Sequence, residues 1–243
     1  MKAKSLLLSA LLYGSAAVQA QVTIDIDAQQ RGPKVSPMLY GIFYEDINHA
    51  ADGGLYAELI RNRSFEDGPR FGAPADMQGW STYAAAPSKL DAHLIQPSKK
   101  TPLLNAVQHN ALELVVQATP QMPVCLVNEG FWGINAVQGR TYRLSFWAKS
   151  LKYKGTIKAT LCSGDGSVLY AETVVSGFPA DKEKGWHKYE ASLQSNGNDA
   201  HAQFALVLDG TGTVQLDVVS LFPPTFKNRE NGLRPDLAQM LYE

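Results

Sequence analysis

From residue 80 to residue 222 the chain is a succession of short segments in which apolar and polar residues alternate between turns, with almost no helical periodicity. Such segments occupy residues 111–117, 123–127, 141–148, 155–161, 186–191, 202–208 and 213–221. A period of two sends successive side chains to opposite faces, so each segment reads as a strand with one buried side. Strands at this spacing predict a β-sandwich or jelly roll. The clearest alternation is Tyr142-Arg143-Leu144-Ser145-Phe146, which places Tyr142, Leu144 and Phe146 on one face.

The preceding stretch has a different texture. Leu39 to Tyr44 is an apolar and aromatic run broken only by Gly41, as in a buried parallel strand. It stops at two carboxylates, Glu45 and Asp46, and the Gly53-Gly54 pair suits a turn that needs positive φ. Leu55, Tyr56, Leu59 and Ile60 then recur at helical spacing. Strand, polar loop and helix make the first unit of a βα barrel or a doubly wound sheet. There, the carboxyl end of a strand is where ligands bind.

Further signals lie at the two ends. Residues 1–20 read as a signal peptide: Lys2 and Lys4, an apolar stretch too short to span a bilayer, and Val18-Gln19-Ala20 before a cleavage expected at Gln21. Residues 22–28 alternate as a half-buried strand would. Residues 67–79 are rich in Gly, Pro, Asp and Ala, as in a linker or long loop. Residues 234–243 read as a helix, with Pro235 in its first turn and Leu237, Met240 and Leu241 on one face.

A net charge of -1 provides no basic field for nucleic acid or an anionic membrane. The two cysteines, Cys125 and Cys162, sit in strand-like surroundings without metal-ligand spacing. In an exported chain they form either one disulfide or two buried thiols.

Gly41-Ile42-Phe43-Tyr44-Glu45-Asp46-Ile47-Asn48-His49, Gly53-Gly54-Leu55-Tyr56-Ala57-Glu58-Leu59 and Asn62-Arg63-Ser64-Phe65-Glu66 together resemble the start of glycoside hydrolase family 51 α-L-arabinofuranosidases. The region from Asn62 to Leu221, with Gly79-Trp80, Gly139 to Lys149 and Val214 to Leu221, resembles family 4/9 carbohydrate-binding modules. The resemblance implies a mainly β chain, a jelly-roll sandwich inserted after the first βα unit of an incomplete TIM barrel. The implied divisions are 1–20, 21–66, 67–223 and 224–243, the last a linker and the start of a barrel helix.

The implied activity is retaining hydrolysis of terminal arabinofuranosides in arabinoxylan or arabinan. That chemistry needs two carboxyl groups about 5–5.5 Å apart. The family carries them on later barrel strands, so no catalytic residue is assigned in this chain and the chain alone is expected to be inactive. Glu45 is implied to hydrogen-bond the sugar hydroxyls, with Asn48 beside it as a second sugar contact or, with His49, as a brace for the loop.

Trp80, Phe131, Trp132, Trp147 and Trp186 are the aromatic candidates for stacking on a sugar. Trp132, in a glycine-flanked loop, is the favoured one. No cofactor is expected. Glu66 and Asp217 fall where related sandwich modules hold a structural calcium, with ordinary hydrogen bonding as the alternative. Asn62-Arg63-Ser64 fits the glycosylation pattern but coincides with the family motif. The expected partner is an arabinose-containing polysaccharide. A non-catalytic carbohydrate-binding protein is the alternative reading.

Overall fold

The computed structural model describes residues 23–39, 41, 44–69, 72–98, 102–179 and 185–242. The chain divides into two compact units, Met1–Tyr44 and Glu45–Glu243. The signal peptide expected at residues 1–20 lies outside the described residues. In the first unit, the expected strand at 22–28 is absent from residues 23–27, where Ile24 and Ile26 are 78% and 85% exposed. An alternating segment without a neighbour to bond has nothing to hold it extended. Of the expected strand at 39–44, Leu39 ends a 3-10 turn, Pro37–Leu39, and Tyr44 is irregular and exposed. Tyr40, Ile42 and Phe43 lie outside the described residues.

The second unit is a mainly β sandwich, as expected. Among the described residues one sheet holds β1 (Trp80–Ala84), β4 (Val124–Asn128), β10 (Asp199–Leu208), β7 (Ile157–Cys162) and β8 (Leu169–Val174) in that order, with β5 (Ile134–Ala136) also on β10. The other holds β2 (Lys89–Ile95), β3 (Ala111–Gln117), β11 (Thr211–Phe222), β6 (Thr141–Lys154) and β9 (His187–Gln194). Neighbouring strands pair antiparallel. Each expected strand segment coincides with one of these elements to within a few residues, except that β6 continues to Lys154.

The alternation becomes a core. Tyr142, Leu144 and Phe146 are buried between the sheets, with Leu112 and Leu114 from β3, Leu126 from β4 and Phe204 and Leu206 from β10. Burial of that apolar area is what drives the two faces together. The Tyr142 hydroxyl stays satisfied by donating to Asn135 O (2.6 Å) and accepting from Val137 N (2.9 Å). Cys125 and Cys162 are free, half-buried thiols on different strands, and burial pushes both thiols up from their ordinary values.

An irregularity in β11 decides which segment lies at its edge. The register of β11 against β6 shifts between Asp217 and Ser220, and Val218 has φ 47°. The core-facing positions switch from Val214 and Leu216 to Val219 and Leu221, an odd-for-even exchange that only an extra residue produces. β3 pairs with β11 only up to Leu216. Beyond the bulge, residues 57–63 take over that edge: Val219 N donates to Arg63 O (2.8 Å) and Leu59 N to Leu221 O (3.1 Å).

This overturns the helix expected at residues 55–60. Tyr56 bridges to Asp52 and Leu233, Ala57 N donates to Gly232 O, and no helix forms there. The four apolar residues at helical spacing are too few to hold a helix without tertiary support. Here the β11 edge provides extended-chain partners instead. The C-terminal helix is present as α1 (Pro235–Tyr242), but Met240 and Leu241 on its apolar face are 76% and 57% exposed, and Ala238 is its buried residue.

Candidate functional site

The loop after Glu45 is built by its own backbone. Asp46 Oδ1 accepts from Ala51 N (2.8 Å), Gly54 N donates to Ala51 O, and Leu55 N to Ala50 O. Asn48 and His49 both take positive φ, 53° and 61°, and asparagine tolerates that region best among non-glycine residues. Gly53, at φ 83°, lies against the Phe131 ring, so close that a Cβ there would come 2.4 Å from Phe131 Cγ. Gly53→Ala is therefore expected to cost about 1–3 kcal/mol of stability, since both the backbone and the ring must shift. A thermal unfolding midpoint equal to that of the parent chain would contradict this packing.

The facing loop carries Phe131 and Trp132 out of β4. Asn128, fully buried, is its anchor: its Oδ1 accepts from Arg61 N (3.2 Å) and Gly130 N (2.9 Å), and its Nδ2 donates to Arg61 O (3.0 Å). His201 Nδ1 lies 3.2 Å from Trp132 O and, as the N–H tautomer, donates to it. The His49 ring meets Phe131 edge-on at 5.1 Å and Trp132 at 5.7 Å. Trp132 thus has a held backbone and a ring braced on one edge, yet it is 62% exposed. A ring held in this way and left in water has a face available for stacking.

Trp132 lines two larger clefts. The first, of about 860 Å³, is polar and takes Asp46, Asn48, His49, Asp52 and Asp67 into its lining. Partial burial pushes the Asp67 carboxyl up, with Asp52 adding to the effect and Arg61 and His49 opposing it. The second, of about 470 Å³, has Tyr56, Phe131, Pro223 and Pro224 among its apolar walls. The structure therefore brings Asn48 and Trp132 into one cleft, with the His49 ring in edge contact with Phe131 and Trp132 rather than in the hydrogen bonding expected of it. Glu45 begins the same loop but is exposed and outside that lining. Of the other aromatic candidates, Trp80 is core, donating from Nε1 to Asn62 O (3.0 Å) and packing on Phe65. Trp186 donates to Pro102 O (3.3 Å), and Trp147 is half-buried in β6.

Glu58 is the group that sequence reasoning passed over. Its side chain is 1% exposed. Oε1 accepts from Leu59 N (3.0 Å), Ile60 N (3.0 Å) and Leu221 N (2.9 Å). Oε2 accepts from Ser220 Oγ (2.5 Å) and sits 3.6 Å from Arg63 Nη1. Burial pushes this carboxyl up, against the pull of Ser220, the backbone donors and Arg63. The one signal was an acid placed between Ala57 and Leu59, both apolar. Asn62 is also buried, its Oδ1 accepting from Asp67 N and its Nδ2 donating to Asp76 O, so the glycosylation pattern there is closed to modification.

The charge of Glu66 acts on Asp217. Glu66 spends both oxygens on N–H donors: His109 N (2.7 Å) and Asn110 N (3.0 Å) on Oε1, Asn110 Nδ2 (2.8 Å) on Oε2. Asp217 accepts from Val218 N (2.7 Å) with one oxygen, while its other oxygen and Gln215 Oε1 are buried without a partner. Burial, reinforced by Glu66, pushes the Asp217 carboxyl up to about 7. Calcium takes about six to eight oxygens. The unpartnered buried oxygens here are Asp217 Oδ2 and Gln215 Oε1, and no group of three His, Cys, Asp or Glu side chains gathers among the described residues. A proton on Asp217 answers the same deficit. No helix among the described residues is long and apolar enough to cross a membrane.

No protein-family profile matches the chain. It is 33% identical over 248 residues to an extracellular exo-α-L-arabinofuranosidase of Streptomyces chartreusis, covering 98% of this chain and 27% of that protein. It is 30% identical over 240 residues to a probable α-L-arabinofuranosidase A of Aspergillus flavus, covering 96% and 36%. Against α-L-arabinofuranosidase 1 of Arabidopsis thaliana the identity is 31% over 229 residues, covering 90% and 32%. The chain spans about a third of the length of the curated relatives it matches. Among solved structures it is similar to arabinose-bound MgGH51 α-L-arabinofuranosidase, with a TM-score of 0.68 and 32% identity over 84% of this chain and 32% of the other. A Stig cyclase from Fischerella shares the fold alone, at TM-score 0.50 and 14% identity. In sequence and in fold, then, this is a glycoside hydrolase-related chain whose relatives are α-L-arabinofuranosidases.

Proposed function

We propose that this chain is the N-terminal portion of an exported, retaining α-L-arabinofuranosidase that removes terminal non-reducing arabinofuranose from arabinoxylan or arabinan. The supporting observation is a match to named α-L-arabinofuranosidases of Streptomyces, Aspergillus and Arabidopsis that runs across 90% or more of this chain. In this reading the divisions are a signal peptide at 1–20, barrel sequence at 21–66, a carbohydrate-binding-like sandwich at 67–223 and the start of a barrel helix at 224–243.

The role of these residues is to recognise the sugar. Glu45 and Asn48 hydrogen-bond the furanose hydroxyls and orient the ring, and Trp132 offers an aromatic face to its C–H groups. The acid/base and nucleophile come from outside these 243 residues, and the chain alone hydrolyses nothing. Purified residues 21–243 incubated with p-nitrophenyl arabinofuranoside are expected to release no nitrophenol above the buffer rate. Release that scales with protein concentration would refute this assignment.

A non-catalytic carbohydrate-binding protein is the second reading. It is favoured by the continuous core of the sandwich, which joins both sheets. Retardation in a gel containing arabinoxylan is expected under both readings. Restored hydrolysis when the chain is joined to the rest of a relative's catalytic barrel is expected only under the first.

A further inference from the structure

We infer that the cleft on the far side of Trp132 from Asn48 is a second sugar site, one that takes a pyranose unit of an uncharged polysaccharide main chain. The inference rests on the proposal that the chain binds glycans.

Three observations carry it. The first is shape. At about 470 Å³ the cleft falls within the usual range for small-ligand sites, and Trp132 forms part of its wall as well as part of the Asn48 cleft. A glycan lying across the Trp132 ridge would touch both.

The second is the chemistry of the walls. A pyranose has a flat face of C–H groups and a rim of hydroxyls. The cleft has a matching division, with Tyr56, Pro223 and Pro224 as apolar surface and Asn135, Arg140 and the Arg234–Asp236 pair as polar groups. Planar amide, guanidinium and carboxylate groups reach two adjacent hydroxyls at once.

The third is rigidity. Tyr56 is held edge-on against Phe222 at 5.4 Å, and its hydroxyl accepts from Arg63 Nη1 at 3.4 Å. Arg234 is held by its backbone N–H to Leu55 O (2.9 Å) and by Asp236, with Nη2 2.6 Å from Oδ2. A site ordered before the ligand arrives loses little entropy on binding. Of these polar groups Asn135 and Arg140 are exposed, and although Arg140 also reaches the Tyr142 hydroxyl, that hydroxyl keeps Asn135 O and Val137 N as partners.

The test is titration calorimetry with the full chain, using linear xylohexaose, free arabinose and arabinoxylan as probes. Xylohexaose is expected to bind. Trp132→Ala should weaken it at least tenfold, and the double variant Asn135→Ala/Arg140→Ala about tenfold, with circular dichroism unchanged. The double variant should leave arabinose binding as it was. Arabinoxylan binding without xylohexaose binding, or xylohexaose binding indifferent to the double variant, would overturn the second site and leave the glycan reading standing. Failure of every probe to bind would overturn both.

Discussion

Glu58→Ala is expected to lower the unfolding free energy of the chain by about 3–5 kcal/mol, the usual cost of breaking a buried charge network from one side. The truncation strands the N–H groups of Ile60 and Leu221, the Ser220 hydroxyl and the Arg63 guanidinium. It also releases residues 57–63 from the edge of β11, and with them the Arg61 backbone that Asn128 grips beside the Trp132 loop. Ser220→Ala removes one donor and should cost about 1 kcal/mol. Urea unfolding separates the two. A loss within about 0.5 kcal/mol for Glu58→Ala, the range of an ordinary surface change, would mean that the latch is not holding the segment.

The second large effect is expected to appear on changing pH. Asp217 is fully buried, and its folded-state pKa of about 7 stands well above the 3.8 of a free aspartate. Between those two values the native chain binds more protons than the unfolded chain, so stability falls as pH rises. The contribution is fully present below about pH 4 and gone above about pH 7, with a slope of up to about 1.4 kcal/mol per pH unit. The charged neighbour acting on the group is Glu66, and Trp147 lies opposite it on β6. Asp217→Asn carries no titrating proton. It should flatten this part of the profile and stabilise the chain at pH 8 by about 2 kcal/mol or more relative to the parent. Parallel profiles for parent and variant between pH 5 and pH 8 would show that Asp217 ionises like a solvent-exposed carboxylate.

These two residues mark where sequence reading stops. Asp217 sits in a segment legible as a strand, but that Leu216 and Leu221 both face the core depends on the bulge between them. The burial of the Asp217 side chain was not visible, because it depends on tertiary neighbours distant in the chain, Glu66 among the groups acting on it. Glu58 looked like an ordinary polar position on a helix. It became a buried hub because Val218 bulges and turns the N–H of Leu221 toward it. At the site, the exposure of a glycine-flanked tryptophan was legible, while the ring contacts that His49 makes with Phe131 and Trp132 were not. That Asn48 shares a cleft with Trp132 while Glu45 stays outside it was not, since the two loops are more than eighty residues apart in sequence.

What the sequence by itself determined is seven of the eleven strands found among the described residues and, for Tyr142, Leu144 and Phe146, which side of the strand is buried. A period of two is a local property, imposed by backbone sterics and the removal of alternate side chains from water. What only the tertiary structure decided is how the stretch between Glu45 and Glu66 folds. Its apolar spacing suits a helix, but the unpaired edge of β11 beyond the bulge offers bonds to an extended chain, and those long-range partners outweigh a weak local preference.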